Sequence, residues 1–171
     1  MLQARIKSPF MLVPGTLEAL QKLSAAVGKA GIPKTTHYLM HVPASQINGC
    51  SVCLDMHSRE LVHAGEQNER IFTVAAWREA PYLSDAERAA LALTEAVTRM
   101  ADRPDAVPDE VWEEAARHYS EPQLAALVVS IATINAWNRL MVATGQPSGE
   151  WVEKVDSGSV PANLIPKPLD G

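Results

Sequence analysis

Aromatic residues and basic charge are both scarce in this chain of 171 residues. Four tryptophans, three tyrosines and two phenylalanines are its only aromatic residues, and alternating β-branched runs are missing, which argues against a β-sheet protein. The 15 Lys and Arg residues are outnumbered by 20 Asp and Glu, which gives a net charge of −5. Because nucleic acids and lipid surfaces select basic patches, we expect neither a nucleic-acid partner nor a membrane partner.

Long apolar runs are also missing. The most apolar segment, residues 124–134, is interrupted by Ser130 and Thr133, and we expect it to be too short and too polar to span a bilayer. Residues 1–10 hold no apolar stretch of signal length. These features predict a cytoplasmic protein, and a hydrophobic content of 47% predicts one packed domain.

The residues that are abundant favour helices. Ala, Leu, Glu and Arg recur at helical spacing, which predicts an all-α fold of six to eight helices. Capping boxes at Ser84–Glu87 and Ser120–Gln123 mark two helix starts. We expect Pro43 to bend or shorten the second helix and Asn48 to cap the third. The predicted helices lie near residues 17–30, 35–46, 50–64, 66–76, 84–100, 108–118 and 120–144.

The last predicted helix is apolar on most sides, which indicates either the central helix of the domain or part of a subunit interface. We predict a helical domain over residues 1–144. Residues 145–171 hold repeated prolines and glycines and are predicted to form an irregular tail. Trp151, Leu164 and Ile165 would let that tail dock, for example on a neighbouring subunit.

The chain has only two cysteines, Cys50 and Cys53, and His57 follows four residues after the second. On a helix these three residues share one stripe, with Cys53 and His57 one turn apart. The positive end of the helix stabilises a thiolate, most strongly at Cys50, and His57 can accept or return a proton at Cys53. We therefore predict a redox dithiol in which Cys53 attacks and Cys50 resolves.

Such a pair reduces a hydroperoxide in two steps. The attacking sulfur becomes a sulfenic acid, and the second sulfur condenses with it to a disulfide that an external dithiol reopens. Residues i and i+3 at a helix start have Cα atoms about 5–6 Å apart, which is within disulfide range. The predicted partners are a hydroperoxide and a dithiol reductant, and the cycle needs neither a cofactor nor a metal.

Other interpretations of these residues remain open. Cys50, Cys53 and His57 would form a tetrahedral zinc site if His41 or His63 supplied the fourth ligand. The cysteines would alternatively be buried inert thiols, with His57 as a structural residue.

Three further residues are supporting candidates. Tyr38 and His41 lie on the preceding helix with His37 and are placed to line the same pocket, although surface histidines are common. Glu60 follows His57 by about one turn and is a candidate to orient its ring, although an exposed glutamate fits equally well.

Residues 44–57 read ASQINGCSVCLDMH and resemble the core motif of the alkylhydroperoxidase D-like (AhpD-like) proteins. These proteins belong to the wider carboxymuconolactone decarboxylase family. The likeness covers roughly residues 35–144 and continues through residues 64–66, 75–79, 91–95 and 134–139.

The resemblance implies an all-helical fold, assembly as trimers or hexamers, and the activity of a peroxiredoxin-type alkyl hydroperoxide reductase. It also implies that Cys53 meets the peroxide, Cys50 resolves and His57 belongs to a proton relay. Tyr38 stands where better-known members have a relay glutamate, and Val52 stands where some have a histidine. A hydrogen bond from Tyr38, or substitution by His41 or Glu60, would replace these groups.

Two other functions stay open from the sequence. The first is a lyase similar to carboxymuconolactone decarboxylase, although the decarboxylase relatives do not depend on a Cys-x-x-Cys. The second is a non-catalytic helical oligomer in which the thiol pair acts as a redox sensor.

Overall fold

The computed structural model describes residues 3–149, and within that range every regular element is a helix. The all-α prediction is confirmed. Eight α-helices, α1 to α8, follow in chain order: Pro9–Leu12, Thr16–Val27, Lys34–Asn48, Ser51–His63, Asn68–Thr73, Asp85–Thr98, Asp109–His118 and Glu121–Thr144. Short 3-10 turns extend three of them, at Gly28–Ala30, Val74–Ala76 and Met100–Asp102.

Local capping signals predicted most helix boundaries. Ser84 opens α6 through a capping box in which the Ser84 N–H donates to the Glu87 carboxylate at 2.9 Å. The Ser120 N–H donates to the Gln123 side chain at 3.0 Å in the same way at the start of α8. Gly145 ends α8 in the left-handed conformation, with φ +65°, where a glycine carries no steric penalty.

The predicted shortening of the second helix at Pro43 and the predicted cap at Asn48 are wrong. Pro43 does not shorten the second helix, because α3 continues through it to Asn48. Nine residues of α3 are buried, so packing offsets the hydrogen bond that proline removes. Asn48 does not cap the third helix either. It is the last residue of α3, Gly49 follows at φ +68°, and Cys50 itself caps α4.

Helices α3 and α8 form the centre of the domain. Helix α3 packs against α4, α6 and α8, while α8 also contacts α2, α4, α6 and α7. Burying α3 and α8 between their neighbours removes large aliphatic side chains from water, which drives the packing. The fully buried residues at this centre include Leu39, Met40, Leu127, Ile131 and Ile134.

The apolar character of α8 agrees with its place at the centre of the domain, which is one of the two roles that the sequence indicated. By length and composition alone this helix is long and apolar enough to cross a membrane, since its most apolar window has a mean hydropathy of 1.4. Residues 124–134, which were expected to be too short and too polar, are part of this longer helix, and the whole helix meets both criteria. Half of that window is buried inside the domain, as for the core helix of a folded protein.

The predicted tail extends beyond the structure that is described here. Trp151, Leu164 and Ile165 lie outside the described residues, so their predicted docking stays a prediction. At the other end, Arg5 packs along α8, where its backbone N–H donates to the Thr144 carbonyl at 2.9 Å. The segment that leads into α1 is thereby attached to the C-terminal end of α8.

Candidate active site

A sharp turn between α3 and α4 positions Cys50. The Cys50 N–H donates to the Ser45 carbonyl at 2.9 Å, and Gly49 supplies the left-handed residue that ends α3. Cys50 then adopts an extended conformation, and its sulfur accepts the Cys53 N–H at 3.3 Å. A sulfur therefore takes the place of the oxygen that usually caps a helix.

The two cysteine sulfurs are already close together. They are 2.7 Å apart, somewhat longer than the S–S bond of about 2.05 Å, and both cysteines are free thiols. Each residue is only 2% exposed. The pair can therefore close to a disulfide with little movement of the backbone.

The hydrogen bonds divide the two thiols into a more acidic and a less acidic one. The hydrogen bond between the two thiols lowers the pKa of the Cys50 thiol, with smaller contributions from the backbone and the Asn138 side chain, while burial opposes the shift. The pKa of the Cys53 thiol is raised, first by its hydrogen bond to Cys50 and then by burial. Negative charge on the pair is thus favoured at Cys50.

His57 lies one turn after Cys53 on the same buried face of α4 and is 6% exposed. Its Nδ1 atom lies 2.6 Å from the Glu60 carboxylate. Its Nε2 atom is buried and has no hydrogen-bond partner among residues 3–149. A carboxylate at Nδ1 favours the tautomer whose Nε2 can accept a proton.

Tyr38 and His41 both lie against the His57 ring. The His41 ring meets it edge-on with centroids 4.5 Å apart, and the Tyr38 ring stacks at 6.3 Å. Burial raises the pKa of Tyr38 to about 12, and the Glu60 charge adds to that shift. Tyr38 therefore stays protonated at neutral pH and keeps a hydroxyl that can donate a hydrogen bond.

Two histidines of α3, the buried His37 and the partly buried His41, meet at one serine of α8. Ser130 Oγ lies 2.9 Å from His41 Nε2 and 3.2 Å from His37 Nδ1. Burial lowers the pKa of His37 to about 4. Burial also lowers the pKa of His41 well below its usual value, and His57 and His37 add to this. Both rings are consequently neutral at pH 7.

The structure brings all six predicted residues into one region: Cys50, Cys53, His57, Tyr38, His41 and Glu60. It does not bring His63 into this region, since this exposed residue ends α4. Across the described part of the chain, no three His, Cys, Asp or Glu side chains are arranged to hold a metal ion. In the described part of the chain, the ligands that the zinc alternative requires are therefore not brought together.

Asn138 is a site residue that was not predicted from the sequence. This asparagine is fully buried in α8, and its side chain contributes to lowering the pKa of both cysteine thiols. Its Oδ1 accepts from Asn48 Nδ2 at 2.9 Å, and its Nδ2 donates to Ser45 Oγ at 3.2 Å. The sequence did contain an indication that Asn138 belongs to a site, because Asn138 and Ser130 are polar residues that share one face of an apolar helix.

Apolar side chains surround the sulfurs on their other sides. Phe10 packs edge-on against Trp137 with centroids 4.9 Å apart, and both contact the cluster that holds the cysteines. Val52, Ile134 and Met141 belong to the same cluster. A cavity of about 230 Å³ lies on the side of Asn138, lined also by Asn48, Arg139, Val142 and Ala143.

Comparisons with known proteins identify the family of this chain. The sequence model of the carboxymuconolactone decarboxylase family matches residues 14–96. An uncharacterised Bacillus subtilis protein, YdfG, is 35% identical over 138 residues, which is 81% of this chain and 92% of that protein. The chain belongs to the carboxymuconolactone decarboxylase family. The resemblance to this family is thereby confirmed.

Within this family the chain is AhpD-like. An Agrobacterium tumefaciens protein of unknown function, suggested to be the antioxidant defence protein AhpD, has a solved structure with 32% identity and a TM-score of 0.79. The match covers 85% of this chain and 98% of that one. The alkyl hydroperoxide reductase AhpD of Beijerinckia indica is 37% identical over 59 residues, about a third of either chain.

Proposed function

We propose that this carboxymuconolactone decarboxylase family member is a thiol-dependent peroxidase or disulfide oxidoreductase of the peroxiredoxin type. It would reduce hydroperoxides by cycling Cys50 and Cys53 between dithiol and disulfide, with His57 moving protons. The observation that carries this proposal is the free pair of sulfurs 2.7 Å apart at the start of α4. Relatives named alkyl hydroperoxide reductase support the hydroperoxide as substrate.

The chemistry of the cycle is balanced. One thiolate attacks the terminal oxygen of ROOH and breaks the O–O bond, giving a sulfenic acid and an alkoxide that takes up a proton. The second thiol displaces hydroxide from the sulfenic acid, which leaves as water and closes the disulfide. An external dithiol then restores both thiols by exchange and becomes oxidised itself.

The test is peroxide consumption by the whole chain with a dithiol reductant. We expect tert-butyl hydroperoxide to be consumed when dihydrolipoamide is present, and we expect Cys53→Ser and Cys50→Ser each to abolish turnover. Ser51→Ala is the matched control, because this exposed residue between the cysteines contributes no sulfur. Mild oxidation of the wild type should lower its mass by two hydrogens.

Two results would contradict the proposal. One is unchanged peroxide turnover in both cysteine variants. The other is turnover of a lactone acid by the Cys50→Ser, Cys53→Ser double variant, which would instead favour the lyase activity. The redox-sensor alternative predicts that the wild type forms the disulfide without sustained turnover.

We further infer that the protein assembles as a homo-oligomer, a trimer or a hexamer. Large apolar side chains lie on the surface of the single chain, where water contact is unfavourable. Met11 and Phe72 are each 77% exposed, and Val142 on α8 is 43% exposed. Light scattering coupled to gel filtration measures the subunit number, and a monomer at micromolar concentration would contradict this inference.

A further inference from the structure

We propose that the cavity beside Asn138 binds the organic part of the hydroperoxide, and that the Arg139 guanidinium holds a carboxylate of that substrate. The substrate class is then a small organic hydroperoxide that carries a carboxylate. This inference rests on the proposed dithiol cycle, because it names the substrate of the same site.

The cavity lies next to the dithiol, between the end of α3 and the C-terminal part of α8. Its volume is about 230 Å³, and its lining residues are Asn48, Asn138, Arg139, Val142 and Ala143. Asn48 precedes Cys50 by two residues. Asn138 Nδ2 donates to Ser45 Oγ at 3.2 Å, and the Ser45 carbonyl accepts the Cys50 N–H at 2.9 Å. Two of the lining residues therefore connect the cavity to the turn that holds Cys50.

Hydrogen bonds to Asn135 hold the Arg139 guanidinium at this cavity. Arg139 Nη1 donates to the Asn135 carbonyl at 3.1 Å and to Asn135 Oδ1 at 2.8 Å. Within residues 3–149, Arg139 Nε and Nη2 have no acceptor. The N–H groups of these two atoms form the edge of a guanidinium that binds a carboxylate through two parallel hydrogen bonds.

The charge of Arg139 is available to a ligand. The chain has a net charge of −5, so an anion needs a local positive group in order to bind. Arg70 and Arg78 form ion pairs with glutamates, whereas Arg139 has no carboxylate partner in the part of the chain that the structure describes. The lining of the cavity contains neither Asp nor Glu. A ligand carboxylate would therefore be the counterion of this guanidinium.

The C-terminal end of α8 does not prevent an anion from binding. Free carbonyls at a helix C-terminus repel negative charge. In α8 the Ala143 and Thr144 carbonyls accept from the Arg5 side chain at 3.1 Å and the Arg5 backbone at 2.9 Å. The N–H groups of Gly145 and Gln146 bond the two preceding carbonyls. Arg5 thereby satisfies part of this helix end and brings a second positive charge to it.

The size and lining of the cavity define the rest of the substrate. Cavities that hold drug-sized ligands measure about 300 Å³ or more, so this one suits a smaller molecule. Val142 and Ala143 offer apolar contact to an organic group, which hydrogen peroxide lacks. During the proposed cycle the O–O bond breaks, and the alcohol that leaves keeps its carboxylate unchanged.

A pair of substrates that differ by one carboxylate tests this inference. The probes are cumene hydroperoxide and its para-carboxylate derivative, with dihydrolipoamide as the reductant. We expect kcat/KM to be about tenfold higher for the carboxylate, through a lower KM, because a hydrogen-bonded charge pair has roughly that effect. In Arg139→Gln the ratio of the two kcat/KM values should fall about tenfold.

Two further variants separate the guanidinium from net charge and from folding. Arg117→Gln removes the same charge from α7, where the side chain is 67% exposed, and should keep the ratio of the wild type. Arg139→Lys keeps the charge but lacks the planar fork, so it should restore part of the preference. If circular dichroism shows that Arg139→Gln is unfolded, Arg139→Lys carries the test with a ratio below that of the wild type.

Three results would overturn the carboxylate site. They are equal kcat/KM values for the two hydroperoxides in the wild type, an unchanged ratio in a folded Arg139 variant, and an equal fall of the ratio in Arg117→Gln. Failure of the wild type to reduce either hydroperoxide would instead contradict the proposed peroxidase function.

Discussion

The Oε2 atom of Glu60 lies 2.6 Å from Nδ1 of His57, one turn further along α4. This contact sets the ring so that Nε2 is the nitrogen available for a proton, at a buried position close to the rings of His41 and Tyr38. The sequence indicated Glu60 only as a supporting candidate. The structure shows that the partner of the Glu60 carboxylate is the His57 ring.

Glu60→Gln is expected to slow disulfide closure about tenfold, because a neutral amide stabilises the imidazolium less than a carboxylate does. The measurement is stopped-flow tryptophan fluorescence after a pulse of hydroperoxide, with quenched samples analysed by mass. Glu69→Gln, on exposed surface of α5, is the control. Equal closure rates in both variants would show that Glu60 has no part in proton transfer.

Phe10→Ala is expected to increase the rate at which Ellman's reagent reacts with the dithiol at least threefold. Phe10 packs on Trp137 and on the cluster that contains both cysteines, so its removal opens a path to the sulfurs. The neighbouring Met11 is 77% exposed, and Met11→Ala should have no effect. If both variants react like the wild type, the reagent reaches the sulfurs by another path, for example the cavity beside Asn138.

His37→Leu is expected to reduce the loss of stability in acid. Burial holds the pKa of folded His37 at about 4, below its unfolded value of about 6.5. As the pH falls, the unfolded state therefore binds a proton at a higher pH than the folded state does. This group thus favours the folded state fully above pH 6.5, and that contribution is lost as the pH falls toward 4.

The loss attributable to His37 amounts to about 3 kcal/mol between pH 7.5 and pH 4. Urea unfolding at pH 7.5, 6, 5 and 4 measures it, and the curve for His37→Leu should be flatter than that of the wild type. His63→Gln, at the exposed end of α4, is the control. Parallel curves for wild type and His37→Leu would contradict the prediction.

Arg70→Met is expected to lower the free energy of unfolding by about 2 kcal/mol, because it leaves two little-exposed carboxylates without a partner. Arg70 forms ion pairs with Glu66 at 2.8 Å and with Glu87 at 2.5 Å, and all three side chains are at most 15% exposed. Lys22→Met removes the exposed pair with Glu18 and should leave the urea midpoint unchanged. Equal midpoints for both variants would show that the Arg70 network adds no stability.

The local parts of the fold were predictable because their causes are local. Ser84 with Glu87 marks the start of α6 within four residues of sequence, and Gly145 marks the end of α8. The errors at Pro43 and Asn48 have different origins. At Pro43 the buried packing of α3 outweighed the local preference, whereas Asn48 is the last residue of α3, which Gly49 ends.

The sequence by itself determined the helices, the dithiol and the histidine one turn after it, since residues three or four apart on a helix are neighbours in any fold. Only the tertiary structure decided that Asn138 bonds Asn48 and Ser45 and that Ser130 joins His37 to His41. Asn138 lies 90 residues from Asn48, its hydrogen-bond partner. Such contacts depend on how α8 packs on α3, and helical periodicity specifies which face is buried but not which helix covers it.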